Sequence, residues 1–180
     1  MHFTKVCCNL ITIASSNEQF RVKIGLEIHA RILSNAKLFS AAETSTLVNS
    51  SANSKASFFD AALPGTMPTL NRRCVESAIL TGLALNCKIN SLSYFERKHY
   101  FYPDMPLGYQ ITQQHKPIAV DGNYEYTIFD YKSSKMSLKS AKIKRIQLEH
   151  DSARTITMND ENNKKVELSL IDLNRCGLGR

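Results

Sequence analysis

The stretch Val22-Lys23-Ile24-Gly25-Leu26-Glu27-Ile28-His29 alternates apolar residues with polar or small ones. Period-two alternation marks a β-strand with one apolar side, because successive side chains point to opposite faces. Glu27 and His29 then share the polar face. A carboxylate and an imidazole spaced by two can both reach one divalent ion. A polar sheet face exposed to water is the plainer reading of the same two residues.

Upstream, residues 1–20 show no firm periodicity and read as an N-terminal tail. The first seventeen carry no acid, one lysine (Lys5) and several Ser and Thr, so they resemble a weak transit segment without its arginines. Downstream, residues 34–57 are rich in Ser, Asn, Ala and Thr and read as a long loop with short ordered pieces. A short apolar segment, 58–63, precedes the turn Pro64-Gly65. Asn71 is placed to cap a helix over 71–86 whose face is Val75, Ala78, Ile79, Gly82 and Leu83. Glycine inside a helix costs about 1 kcal/mol against alanine, so Gly82 implies close packing.

Residues 88–95 suggest a strand or the entry to one. In Arg97-Lys98-His99-Tyr100-Phe101-Tyr102-Pro103-Asp104-Met105-Pro106 the prolines exclude a helix and disfavour a central strand. The mixture of cations and aromatics there suits an anion, a nucleotide or RNA, or else an aromatic loop that covers core. Asp121-Gly122, between apolar 118–120 and 124–131, is a hairpin signal. Residues 132–139 read as a basic connection. Ile143, Ile146 and Leu148 mark a strand ending in Glu149-His150-Asp151, where Glu149 and Asp151 share a face and His150 points away. Acid–His–acid clusters serve metal sites and general acid–base work, although a hydrophilic strand end looks the same. Residues 152–165 read as a polar hairpin connection to a last strand through Val166, Leu168 and Leu170. The sum is α+β: antiparallel sheets with flanking helices.

The 180 residues carry 23 Lys+Arg against 16 Asp+Glu, a net charge of +7 that favours contact with phosphates. Five cysteines, Cys7, Cys8, Cys74, Cys87 and Cys176, are odd in number and lack CxxC spacing. That argues against a disulfide framework or a Cys-built zinc site and for free thiols. No apolar run approaches the roughly 18 residues of a membrane span. No GxxxxGK[ST], GxGxxG or GxSxG is present, so a nucleotide would have to be held on a sheet by metal and basic side chains.

Taken together, five motifs resemble the GatB family, the B subunit of the tRNA-dependent amidotransferase. They are the strand 22–29; Ala61-Ala62-Leu63-Pro64-Gly65-Thr66-Met67-Pro68 with Asn71-Arg72-Arg73; Arg97 through Asp104 with Gly108-Tyr109-Gln110-Ile111-Thr112-Gln113; Ile146-Gln147-Leu148-Glu149; and Ser169-Leu170-Ile171-Asp172-Leu173-Asn174-Arg175. The resemblance implies that 21–180 is the N-terminal part of a glutamine synthetase-like cradle domain, incomplete at its C-terminus. It implies a subunit of a heterotrimer, with an amidase subunit (GatA) and a small subunit (GatC), acting on mischarged Glu-tRNA(Gln). The reaction is ATP- and Mg2+-dependent activation of the tRNA-bound glutamate followed by transamidation to Gln-tRNA(Gln), a ligase reaction with glutamine as amido donor.

Matched residue by residue, Glu27 and His29 fall on the metal and ATP face, and Glu149 and Asp151 on two acids of the family's Glu-Glu-Asp run. Lys98 falls on a lysine lining the ammonia route, and His150 takes the place of a second metal-binding glutamate. The expected catalytic set is Glu27, His29, Glu149 and Lys98. The nucleotide set is Glu27, His29 and Asp151, and the metal set is Glu27, His29, Glu149 and His150. The mitochondrial matrix is the expected location. A truncated, non-catalytic fragment docking on the amidase partner is the alternative.

Overall fold

The computed structural model describes residues 2–11, 23–44, 50–160 and 163–179. Within them the elements are β1 (His2–Ile11), β2 (Lys23–Arg31), α1 (Arg72–Ala84), β3 (Lys88–Ile89), β4 (Glu96–His99), β5 (Tyr109–Thr112), β6 (Ala119–Asp130), β7 (Lys135–Ile146), β8 (Arg154–Asp160) and β9 (Asn163–Asp172). Every pairing is antiparallel: β1 with β2, β4 with β5, β8 with β9, and a three-stranded sheet in the order β3-β6-β7. The α+β expectation of antiparallel sheets holds, with one α-helix among the described residues rather than several.

Where the first twenty residues showed no periodicity, His2–Ile11 forms a strand, with Lys5 opposite His29 and Cys7 opposite Glu27. The apolar side of β2 is outward: Leu26 and Ile28 are 64% and 56% exposed. The alternation therefore predicted the strand but not its burial.

Asn71 caps α1, accepting from Arg73 N at 2.9 Å and donating through Nδ2 to the carbonyls of Ala36 and Lys37. The buried line is Cys74, Ala78 and Gly82, with Val75 and Ile79 flanking it and Leu83 exposed. The helix thus presents a slightly rotated face. A Cβ on Gly82 would lie 2.7 Å from Ile89 Cδ1 and 3.1 Å from the Ala119 Cβ, so the missing side chain lets α1 seat on β3 and β6.

Asp121-Gly122 lies inside β6, not in a turn. Asp121 has φ +56°, a conformation Asp tolerates better than most residues. Gly122 is required because a Cβ there would meet Cys87 Sγ at 2.3 Å and the Leu85 carbonyl at 2.9 Å. The signal reported tight packing rather than chain reversal. The reversal comes at 131–134, so most of the expected connection 132–139 is strand β7. Likewise β8 occupies the expected polar connection 152–165. Both regions carry polar residues because β7 and β8 are largely exposed there, which removes the apolar alternation that marks a strand.

The described part of 34–57 has no helix or strand beyond an isolated bridge between Ala36 and Glu43. It is nevertheless core: Leu38 and Phe39 pack with Phe59, Cys74, Ala78, Ile111, Ile118 and Leu148. Beside them Lys37 and Asp60 form an ion pair at 2.8 Å with both side chains at 0% exposure. Lys37 Nζ also donates to the Leu173 carbonyl at 3.1 Å, and Asp60 Oδ2 accepts from Ser57 N at 2.8 Å. Removing one member of such a pair leaves an unpaired buried charge, which costs about 3–5 kcal/mol. Asp60→Asn should lower unfolding free energy by about that much in urea melts followed by circular dichroism. Adding Lys37→Met to Asp60→Asn should recover part of the loss, because no lone charge then remains.

Candidate functional site

Beyond β7 the chain leaves regular pairing at Gln147, and residues 147–151 are held by side-chain amides instead. Gln113 Oε1 accepts from Leu148 N at 3.0 Å, Gln110 Nε2 donates to the His150 carbonyl at 2.7 Å, and Gln147 Nε2 donates to Thr112 Oγ1 at 3.2 Å. His150 N donates to the Ile111 carbonyl at 2.9 Å. Gln110 and Gln113 are buried, where an amide must find partners. The Tyr109-to-Gln113 motif therefore works as a clamp on the segment carrying Glu149.

The opposite side of that segment meets residues 177–179. Asp151 N donates to the Leu178 carbonyl, Gly177 N donates to the Asp151 carbonyl, and His150 bridges Gly179. Residues 177–179 in turn join the stretch following β2: Leu38 N donates to the Gly177 carbonyl, and Ile32 N to the Gly179 carbonyl. The Asp172-Leu173-Asn174-Arg175 motif secures this turn. Asp172 Oδ1 accepts from Asn53 N and Asn174 N, and Asn174 Nδ2 donates to the Ser51 carbonyl at 2.8 Å.

Each expected site residue has a definite place. Glu27 Oε1 lies 3.1 Å from His29 Nε2 on β2, so these two do share a face, with Glu27 the more exposed. Glu149 is buried, one residue beyond Leu148 of the core. Asp151 Oδ2 pairs with Arg175 Nε at 3.2 Å, while its Oδ1 accepts from Ser152 N at 3.0 Å. Lys98 is exposed on β4, opposite Gln110. Next to it, the Arg97 guanidinium lies over the Tyr109 ring at 4.7 Å, so that cation is engaged in packing.

The His150 ring is fully buried, edge-on to Phe39 and stacked on Phe59, with Nε2 3.8 Å from Cys176 Sγ. Among the described residues no three His, Cys, Asp or Glu side chains gather into a metal-holding group. The structure therefore brings Glu27 to His29 but does not join them to Glu149 in one cluster. The donors that suit a hard, oxygen-seeking cation are Glu27 and Glu149. Asp151 is engaged by Arg175, and His150 is enclosed by rings and sulfur.

Reading the sequence missed Lys37, Asp60 and Cys176 as a group. A lysine and an aspartate 23 residues apart in loop-like sequence carry no periodic signal. Cys176 lies between Asp60, whose carbonyl is 3.7 Å from Sγ, and His150. Burial, and then the charge of Asp60, push its thiol up to about 12.

Residues 22–179 match the GatB/GatE catalytic domain, and the chain belongs to that family. It is 57% identical over 157 residues to the B subunit of the mitochondrial glutamyl-tRNA(Gln) amidotransferase of Danio rerio, and 54% identical over 157 residues to that of Homo sapiens. In both cases 87% of this chain and 27% of the relative are covered. It is 46% identical over 167 residues to the B subunit of the aspartyl/glutamyl-tRNA(Asn/Gln) amidotransferase of Rickettsia typhi, covering 93% of this chain and 32% of the relative. The chain thus spans about a third or less of the length of these relatives. No described helix is long and apolar enough to cross a membrane.

With its thiolate disfavoured until about pH 12, Cys176 should resist alkylation at pH 7.5 in the folded chain and react once urea is added. Peptide mass spectrometry of iodoacetamide-treated samples reads this directly.

Proposed function

We propose that this chain is the N-terminal catalytic region of the B subunit of a mitochondrial glutamyl-tRNA(Gln) amidotransferase, within a glutamine synthetase-like cradle domain. The carrying observation is the match of 22–179 to the GatB/GatE catalytic domain. The mitochondrial relatives at 54–57% identity support the location, with the matrix as the compartment. In this reading the region works beside an amidase subunit and a small subunit on mischarged Glu-tRNA(Gln).

When bound, ATP would supply the phosphoryl group for activating the glutamate carboxylate, and magnesium would neutralise phosphate charge. Magnesium commonly keeps waters and phosphate oxygens and takes only one or two protein carboxylates. Glu27 and Glu149, which the described residues do not gather into one group, would each offer a single carboxylate to a magnesium ion of the nucleotide complex. His29, 3.1 Å from Glu27, orients that carboxylate. The Gln110 and Gln113 clamp fixes the backbone on either side of Glu149. Lys98 presents an exposed ammonium for developing negative charge along the route of incoming ammonia. Asp151, pinned by Arg175, sets the chain direction beyond Glu149 on the nucleotide side. His150 supports the site from within the core.

A second reading is favoured by the outward apolar side of β2, where Leu26 and Ile28 stand exposed. It holds that the chain is a non-catalytic piece that docks on the amidase partner through this sheet.

In the assembled heterotrimer, Glu27→Ala and Glu149→Gln should each cut ATP-dependent formation of Gln-tRNA(Gln) by about 100-fold or more, while ammonia release from glutamine stays measurable. Chelating magnesium should abolish the same step. Undiminished amidation by both variants would remove the roles assigned to the carboxylates and leave the docking reading.

A further inference from the structure

The β6–β7 hairpin projects from the core. From Tyr124 to the tip and back to Lys142 the residues are exposed on both faces. The register sorts the side chains. Tyr126 faces Lys139, Tyr124 faces Ala141, Ile128 faces Ser137 and Asp130 faces Lys135. Even positions of β6 and odd positions of β7 therefore share one face.

On that face the Tyr124 and Tyr126 rings lie nearly parallel, with 12° between planes and 6.0 Å between centroids. Their cross-strand neighbours are Lys139 and Ala141, and the next pair along is Ile128 with Ser137, so a lysine stands directly beside the rings with one aliphatic side chain further along. The hairpin carries Lys132, Lys135, Lys139, Lys142, Lys144 and Arg145 against Asp121, Glu125 and Asp130. Asp130 is engaged within the turn, accepting from Lys132 N and Ser133 Oγ.

We propose that this Tyr124/Tyr126 face is a contact surface for single-stranded RNA, with nucleobases stacking on the rings and Lys135 and Lys139 on the phosphates. Parallel exposed aromatics beside lysines are the combination single strands need: every base has a π-face, and the backbone is anionic. Core packing does not explain the rings, because no described element covers them. An acidic protein partner would satisfy the lysines but has no use for two exposed parallel rings. The opposite face, where Phe129, Met136 and Leu138 stand beside Glu125, Thr127, Ser140 and Lys142, carries no part of the proposal. The inference goes beyond the ligase reading and stands whether or not the chain catalyses amidation.

The test is fluorescence anisotropy of a fluorescein-labelled twelve-nucleotide RNA of mixed sequence, titrated with the 180-residue chain. Tyr124→Ala with Tyr126→Ala should weaken binding about tenfold or more, and the corresponding Phe pair should retain it, since stacking survives loss of the hydroxyls. Lys135→Ala with Lys139→Ala should weaken binding and flatten its salt dependence by roughly one to two released counterions. A duplex of the same sequence should bind less tightly. Absence of binding, binding indifferent to the tyrosines, or equal binding of duplex would overturn the proposal. So would a hairpin whose only measurable association is with protein and is lost on Phe129→Ser with Leu138→Ser.

Discussion

The fully buried pair of Lys37 and Asp60 is the constraint around which the described chain is arranged. Two opposite charges withdrawn from water are tolerated only when they are paired and their remaining hydrogen-bonding capacity is filled. Here the carboxylate draws on Lys37 and the Ser57 amide, and the ammonium reaches the Leu173 carbonyl. These demands fix where three remote stretches must lie. Residues 36–38 also receive Asn71, which starts α1, and Gly177, which ends the terminal turn. One ion pair thus locates the helix, the 57–60 loop and the 173–178 turn with respect to one another.

From that hub the order passes outward through backbone polar groups rather than through apolar bulk. The terminal turn pairs with residues 150 and 151, and the other side of that segment is clamped by Gln110 and Gln113. Glu149 is therefore placed by hydrogen bonds that begin at Lys37, although no direct contact links the two residues. Buried amides in such a chain must be satisfied, so register errors are penalised group by group. This explains how short, two-stranded sheets hold a defined geometry that their small apolar faces would not specify alone.

Elements with a local signature were legible in the sequence. β2 followed from its alternation, and α1 from Asn71 and its apolar spacing, while Gly82 correctly signalled close packing. The Pro64-Gly65 turn carried its own chemistry, with Gly65 at φ +82°. β7 and β8 were not legible, because strands exposed on both faces lose the alternation that burial imposes. Asp121-Gly122 misled for a related reason: backbone at positive φ beside a close approach draws the same residues as a turn. Of the candidate site, the sharing of one face by Glu27 and His29 could be read from their spacing. The burial of Lys37, Asp60 and His150 could not, since each depends on partners far away in sequence.

The enclosure of His150 explains why an imidazole suits a position where the family resemblance leads one to expect a carboxylate. Its ring is bounded by Phe39 and Phe59, and its Nε2 is 3.8 Å from a thiol that itself contacts the Asp60 carbonyl. The buried cation nearby, Lys37, is already committed to Asp60. A second carboxylate in this space would share one cation with Asp60 while losing its hydration, and burial without its own partner strongly disfavours the charged form. An imidazole brings polar atoms to this space and stacks on Phe59. Ring packing and a nearby thiol are thus the surroundings that the fold gives His150, between the two acids Glu149 and Asp151 of the same segment.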